Sequence, residues 1–153
     1  MKIGILALLS EMTLDPVSVA RRCEELGFES IWAPEHAIIP VHTKVPYPAL
    51  DGKIPDVYTR FPDPFVLLGM MASVTRTLKL GTGICLVPER HPLALAKEVA
   101  TLDYYSGGRF LFRHRRRMAG GRIRNHGRRL STALADHARV RARDERVVDQ
   151  TRG

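Results

Sequence analysis

Cysteine is nearly absent from this chain of 153 residues: Cys23 and Cys85 are the only two. That excludes a disulfide framework, and the pair lacks metal-ligand spacing, so both read as buried reduced thiols. Long apolar runs are missing as well. Ile3 to Leu9 is too short for a signal-peptide core with its cleavage site and too short to span a bilayer, which makes a cytoplasmic protein the expectation. Aromatics amount to 7%, with a single tryptophan, Trp32. Lysine is absent from residues 113–153, and this absence marks a division in the chain.

The net charge of +8 does not belong to the whole sequence. Residues 1–112 hold eleven Lys and Arg against twelve Asp and Glu, a net of −1. Residues 113–153 hold thirteen Arg against four acidic residues, a net of +9. The boundary lies at Phe112 to Arg113.

Within the first region, strand and helix signals alternate. Lys2 to Leu9 is nearly continuously apolar, as expected of a parallel strand covered on both faces. Asp15-Pro16 opens a helix as N-cap and first residue; Val17, Ala20, Cys23 and Leu26 form its apolar stripe and Gly27 ends it. Ser30 to Ala33 is a short strand. Pro34 to Pro62 is rich in proline and polar residues, too long for an ordinary connection, and reads as a functional loop or lid. Asp63-Pro64 repeats the helix start, and Phe65, Leu67, Leu68, Met71 and Val74 supply that helix's buried face. Lys79 to Leu86 is a strand interrupted by Gly81 and Gly83, where a ligand or another backbone approaches closely. Pro92 begins a third helix, with Leu93, Leu95, Ala96, Val99, Ala100 and Leu102 mainly on one face; Ser106-Gly107-Gly108 breaks it, and Arg109 to Phe112 begins a fourth strand. The right-handed crossover rule turns this order into one parallel sheet, 1-2-3-4, with helices outside. A small doubly wound sheet or half of a (β/α)8 barrel fits the count.

On the residues alone, Glu35-His36 is an exposed loop pair at a strand end, and the GTG at positions 81–83 is no phosphate-binding fingerprint. Trp32 reads as core rather than ligand platform. His91 reads as a cap for the helix beginning at Pro92, Glu89-Arg90 as a solvated pair, and one of Tyr104 and Tyr105 as packed on the sheet.

The segments ARRCEELGFESIWAPEH, PYPALDGKIPD and DPFVLLGMMASVTRTLKLGTGICLVPERHPLALAKEVATLDYYSGGRFLF resemble the luciferase-like monooxygenases, flavin- and deazaflavin-dependent oxidoreductases on a TIM barrel. The last segment is the most specific, and it looks most like the branch that uses coenzyme F-420, although members binding FMN share much of the pattern. The resemblance implies α/β architecture, a partial TIM (β/α)8 barrel of four parallel strands, with its site at the C-terminal strand ends. It implies that Glu35 and His36 border the cofactor ring as catalytic residues, His36 as acid/base. It further implies that Thr82, Gly83 and Ile84 support the ring, with a non-proline cis peptide at Gly83–Ile84, and that intact relatives act on small-molecule substrates.

After Phe112 the family's glycine-rich Gly-(Ile or Val)-Gly-Ala-Gly-Trp turn is replaced by RHRRRMAGGRIRNHG. One inserted nucleotide after the Phe codon, in one coding of Phe-Gly-Ile-Gly-Ala-Gly-Trp-Leu-Ala, yields Phe-Arg-His-Arg-Arg-Arg-Met-Ala-Gly, which is 112–120 as it stands. Residues 1–112 are therefore expected to be the first half of a barrel, and 113–153 a frameshift-derived, disordered Arg-rich tail, with propensity for a helix only over Thr132 to Val148. A half-barrel leaves apolar faces and strand edges that favour self-association, and the product is expected to be inactive. The alternative is a non-catalytic protein whose thirteen tail arginines bind nucleic acid, although the tail has no aromatic residue for stacking.

Overall fold

A computed structural model describes residues 1–39 and 54–114. Four strands, β1 (Gly4–Leu6), β2 (Ser30–Ala33), β3 (Lys79–Thr82) and β4 (Phe110–Leu111), alternate with α1 (Pro16–Glu25), α2 (Pro64–Val74) and α3 (Pro92–Tyr105). A 3-10 turn, Asp56–Arg60, precedes α2, and a second, Val87–Glu89, precedes α3. The sheet is wholly parallel in the order β1-β2-β3-β4, as the crossover rule requires of consecutive right-handed units.

The helix starts form as the sequence implies. The Asp15 carboxylate accepts from the Ser18 N–H at 2.8 Å, and Asp63 Oδ1 accepts from Phe65 N and Val66 N at 2.8 and 3.1 Å. A proline follows each cap, its missing N–H costing nothing in the first turn. His91 is the cap residue of α3, but its side chain makes no capping hydrogen bond, contrary to expectation.

Register separates the two faces of the sheet. Ile5, Ile31, Leu80 and Phe110 stand opposite one another across all four strands, and the last three are buried with Leu68, Met71 and Leu95 beneath the helices. The alternate row is Leu6, Trp32, Gly81 and Leu111. Among the described residues this side has no helical layer: Leu6 is 59% exposed and Leu8 42%. The expectation that strand 1 is covered on both faces is thereby corrected. Three consecutive right-handed crossovers put all three helices on one side, and the other side is the concave interior of a barrel.

Trp32 lies across this inner face, with its Nε1 donating to Ser30 Oγ at 2.9 Å. A Cβ at Gly81 would stand 2.3 Å from the indole, and one at Gly4 would stand 2.9 Å from Nε1. Glycine at both positions is what lets the ring lie down. Tyr104 and Tyr105 are both exposed, packed edge to face on each other at 5.3 Å, so neither ring packs on the sheet.

Two long-range anchors lock the layers. Glu24, on α1, accepts from the backbone N–H groups of Arg76, Thr77 and Leu78 and from the Thr77 hydroxyl, tying α1 to the start of β3. Arg109 donates to Ser106 O, Thr75 Oγ1, Leu78 O and Ala72 O, latching the start of β4 to the end of α2. Beyond β4, the Arg113 N–H donates to Thr82 Oγ1 and the Cys85 N–H to Arg113 O, so the ordered pairing runs to His114. The Arg-rich tail from 115 onward, its expected disorder and its candidate helix over Thr132 to Val148 lie outside the described residues, as does the middle of the Pro34 to Pro62 loop.

Candidate active site at the strand ends

The C-terminal ends of β2 and β3 and the loops that follow them converge at one rim of the sheet. Pro34-Glu35-His36 leaves β2, and the two side chains after the proline turn to different neighbours. Glu35 is buried, its side chain 1% exposed. Its Oε2 accepts from the Leu86 N–H at 2.6 Å, and its Oε1 accepts from Arg90 Nε at 2.5 Å. His36 is half-buried and stacks on Tyr58 at 5.1 Å and Phe61 at 5.8 Å, and those two rings lie 5.1 Å apart. The turn carrying Tyr58 is held to the loop after β1 by Arg60, which pairs with Glu11 at 2.9 Å.

Arg90 is the hub of the rim. Its side chain is 13% exposed and pairs with three carboxylates: Glu35, Asp63 Oδ2 at 2.5 Å and Glu98 Oε2 at 3.1 Å. The guanidinium lies 4.8 Å over the Phe65 ring. Burial works against its charge, but the hydrogen bonds it donates to Asp63 and Glu35 outweigh it and keep the group ionised. Glu89-Arg90 is thus no solvated pair. Arg90 is buried in an ion-pair network, and Glu89 carries a buried Oε2 with no hydrogen-bond partner among the described residues; burial, with Glu35 nearby, raises its carboxyl above the ordinary range.

His36 shifts the other way. Burial pushes the imidazole below its ordinary value, against the opposing pull of the Glu35 carboxylate, so the neutral form prevails at pH 7. Its candidate chemistry is proton acceptance.

At the end of β3 the Gly83–Ile84 peptide is cis, at the place the resemblance implies. Thr82 is fully buried and its hydroxyl is engaged with the Arg113 backbone, which leaves only its main chain for any ligand. Gly83 and Ile84 are half-buried. A Cβ at Gly83 would meet Leu6 at 3.0 Å and Trp32 at 3.2 Å, so these two inner-face side chains pack closely against the Gly83 backbone.

Among the sequence-derived candidates, the structure brings Glu35 and His36 to the same rim as Thr82, Gly83 and Ile84. It adds Arg90, Tyr58 and Phe61. Two aromatics within four residues of a polar, proline-rich loop were a signal in a chain of low aromatic content. Nothing local marks Arg90, whose main partner is 55 residues distant.

Fold and rim together describe the first four strands and three helices of a parallel barrel, with the candidate residues at the strand ends. The model of the luciferase-like monooxygenase family matches residues 12–145, and the chain belongs to that family. An uncharacterized protein of Mycobacterium tuberculosis is 39% identical over 111 residues, covering 71% of this chain and 39% of that protein. The chain therefore spans about two fifths of the length of this curated relative. The solved coenzyme F-420-dependent tetrahydromethanopterin reductase of Methanopyrus kandleri is similar at 28% identity and a TM-score of 0.53, over 74% of this chain and 26% of the reductase. The oxygenating constituent of 3,6-diketocamphane monooxygenase of Pseudomonas putida, solved with FMN, superimposes with a TM-score of 0.58 over 92% of this chain and 38% of its own; at 18% identity it shares the fold. Among the described residues no helix is long and apolar enough to cross a membrane, and no group of His, Cys, Asp or Glu is placed to hold a metal ion.

Proposed function

We propose that residues 1–112 form the first half of a luciferase-like oxidoreductase barrel whose strand-end rim receives the ring of coenzyme F-420 or FMN, in the cytoplasm. The observation that carries this reading is that His36, held by Tyr58 and Phe61, and the Gly83–Ile84 backbone leave the ends of the paired strands β2 and β3 beside an exposed apolar sheet face. When bound, the ring supplies hydride transfer or, with oxygen, monooxygenation, and the protein supplies orientation. Gly83 and Ile84 support the ring through their backbone, and Thr82 keeps that backbone in place through Arg113. His36, neutral at pH 7, accepts or relays a proton at its imidazole nitrogen. Glu35, fully engaged with Leu86 and Arg90, fixes the end of β2 and so where the imidazole stands.

The family's later cofactor-phosphate contacts fall beyond Phe112, where the Arg-rich sequence stands, so binding is weak and turnover is lost in the chain as it stands. Among the described residues the inner face has no covering layer and the outer edges of β1 and β4 have no partner strand, which favours self-association. The test is equilibrium dialysis of the purified chain against coenzyme F-420 and against FMN. Saturable retention of either, weakened by Gly83→Val, supports the reading; retention of neither removes cofactor function from this chain.

A further inference from the structure

Arg90, the hub of the rim, ties three elements together through carboxylates alone. It reaches the end of β2 through Glu35, the N-terminus of α2 through Asp63, and α3 through Glu98. Phe65, on α2, lies beneath its guanidinium. Asp63 serves twice, with Oδ1 capping α2 while Oδ2 takes Arg90. Glu35 also serves twice, holding Arg90 with one oxygen and the Leu86 N–H with the other. The bonded path therefore runs from the loop that carries Gly83 and Ile84, through Leu86 and Glu35, to His36, the next residue in the chain.

We infer that Arg90 is a positioning residue, whose fork of donors sets the orientation of His36 relative to the backbone at Gly83 and Ile84. A planar fork is required for this. Nε and the two terminal nitrogens of Arg90 point to three carboxylates on three elements, while a lysine ammonium on its flexible stem reaches one or two of them and cannot stack flat on Phe65. With Glu35 released, the Pro34-Glu35-His36 segment loses, among the described residues, its side-chain anchor to the loop after β3, and His36 is left to the rings of Tyr58 and Phe61. The imidazole then shifts toward solvent. The inference deepens the role given to His36 above, but its consequence is readable without any cofactor.

The experiment is proton NMR titration of His36 in the full chain, with nuclear Overhauser contacts from its ring to Tyr58 and Phe61, in the parent, Arg90→Lys and Glu35→Gln. Circular dichroism and thermal melting are followed in parallel. In the parent the midpoint lies below the ordinary imidazole value and the ring contacts are present. In Arg90→Lys the midpoint rises toward the ordinary value and the contacts weaken while the fold is retained. Glu35→Gln keeps an oxygen for the Leu86 N–H but loses the charge that itself raises the imidazole midpoint, so its readout is the ring contacts alone, which weaken as in Arg90→Lys, and it serves where Arg90→Lys fails to fold. Adding free guanidinium to Arg90→Ala restores part of the parent midpoint, as general loss of structure would not. A folded Arg90→Lys with parental midpoint and ring contacts, or a folded Glu35→Gln with parental ring contacts, overturns the inference. Absence of F-420 or FMN binding in the parent, with the His36 changes as stated, refutes the cofactor reading alone.

Discussion

Replacing Gly81 by alanine perturbs the inner face of the sheet through one methyl group. Its Cβ would lie 2.3, 2.6 and 2.7 Å from three atoms of the Trp32 indole, well inside van der Waals contact. Two responses are open. If the ring stays, the clash is absorbed by strand displacement at overpacking cost, about 1–3 kcal/mol. If the half-exposed ring swings into solvent, it gives up the Nε1 to Ser30 Oγ bond, worth about 1 kcal/mol, together with its contact area on the sheet. Both routes lead to a loss of about 1–3 kcal/mol, or roughly 5–10 °C in melting temperature for a domain of this size. Urea denaturation followed by circular dichroism measures the loss, and Trp32 emission, the only indole signal in the chain, reports whether the ring has moved. Trp32→Leu removes the obstacle, so the cost of Gly81→Ala falls in the Trp32→Leu background. A Gly81→Ala protein within about 0.5 kcal/mol of the parent and with unchanged emission would refute the steric account of this face.

Three further outcomes follow from the anchors. Burial opposes ionisation of Glu24, but hydrogen bonds from Thr77, Leu78 and Arg76 outweigh it and bring the carboxyl down to about 2. Because the folded value is depressed, this contribution is complete above the ordinary carboxyl range and is lost as pH falls toward 2; Glu24→Gln flattens that limb of the stability curve and costs about 1–2 kcal/mol at pH 7, discounted for partial exposure. Arg109→Ala leaves the Leu78 and Ala72 carbonyls without their donor and costs about 2–3 kcal/mol in urea denaturation. Burial raises both thiols, with Glu35 adding to the effect at Cys85, so neither reacts with an aromatic disulfide at pH 8 in the folded protein and both react in denaturant.

The fold was largely legible because its signals are local. Asp15-Pro16 and Asp63-Pro64 carry their caps in adjacent residues, and Gly107 and Gly108 end α3 with positive φ, which glycine alone adopts freely. Four alternating units then leave the crossover rule little choice of topology. The two-sided burial expected for Lys2 to Leu9 failed because an apolar run states that a strand's side chains are hydrophobic, not whether a second layer packs on them. At the rim, Glu35 and His36 could be picked out from the family pattern and from the strand-end position. Arg90 and Glu24 could not, because their partners lie about fifty residues away in sequence, and a charge pattern read along the chain shows no burial. The glycines were ambiguous for a similar reason: Gly81 is required by Trp32 across the strand pair, a neighbour that only register identifies.

The central claim, that the rim between His36 and Gly83 receives a flavin or deazaflavin ring, is tested most directly by the emission of Trp32. The indole lies on the same inner face as the proposed ring, so a bound acceptor ring stands within energy-transfer distance. Titration of the full chain with FMN and with coenzyme F-420 is predicted to quench that emission saturably with at least one of them, and Gly83→Val is predicted to weaken the saturable phase. Quenching no different from that of free tryptophan at the same ligand concentrations, with no saturation for either ligand, would contradict the account.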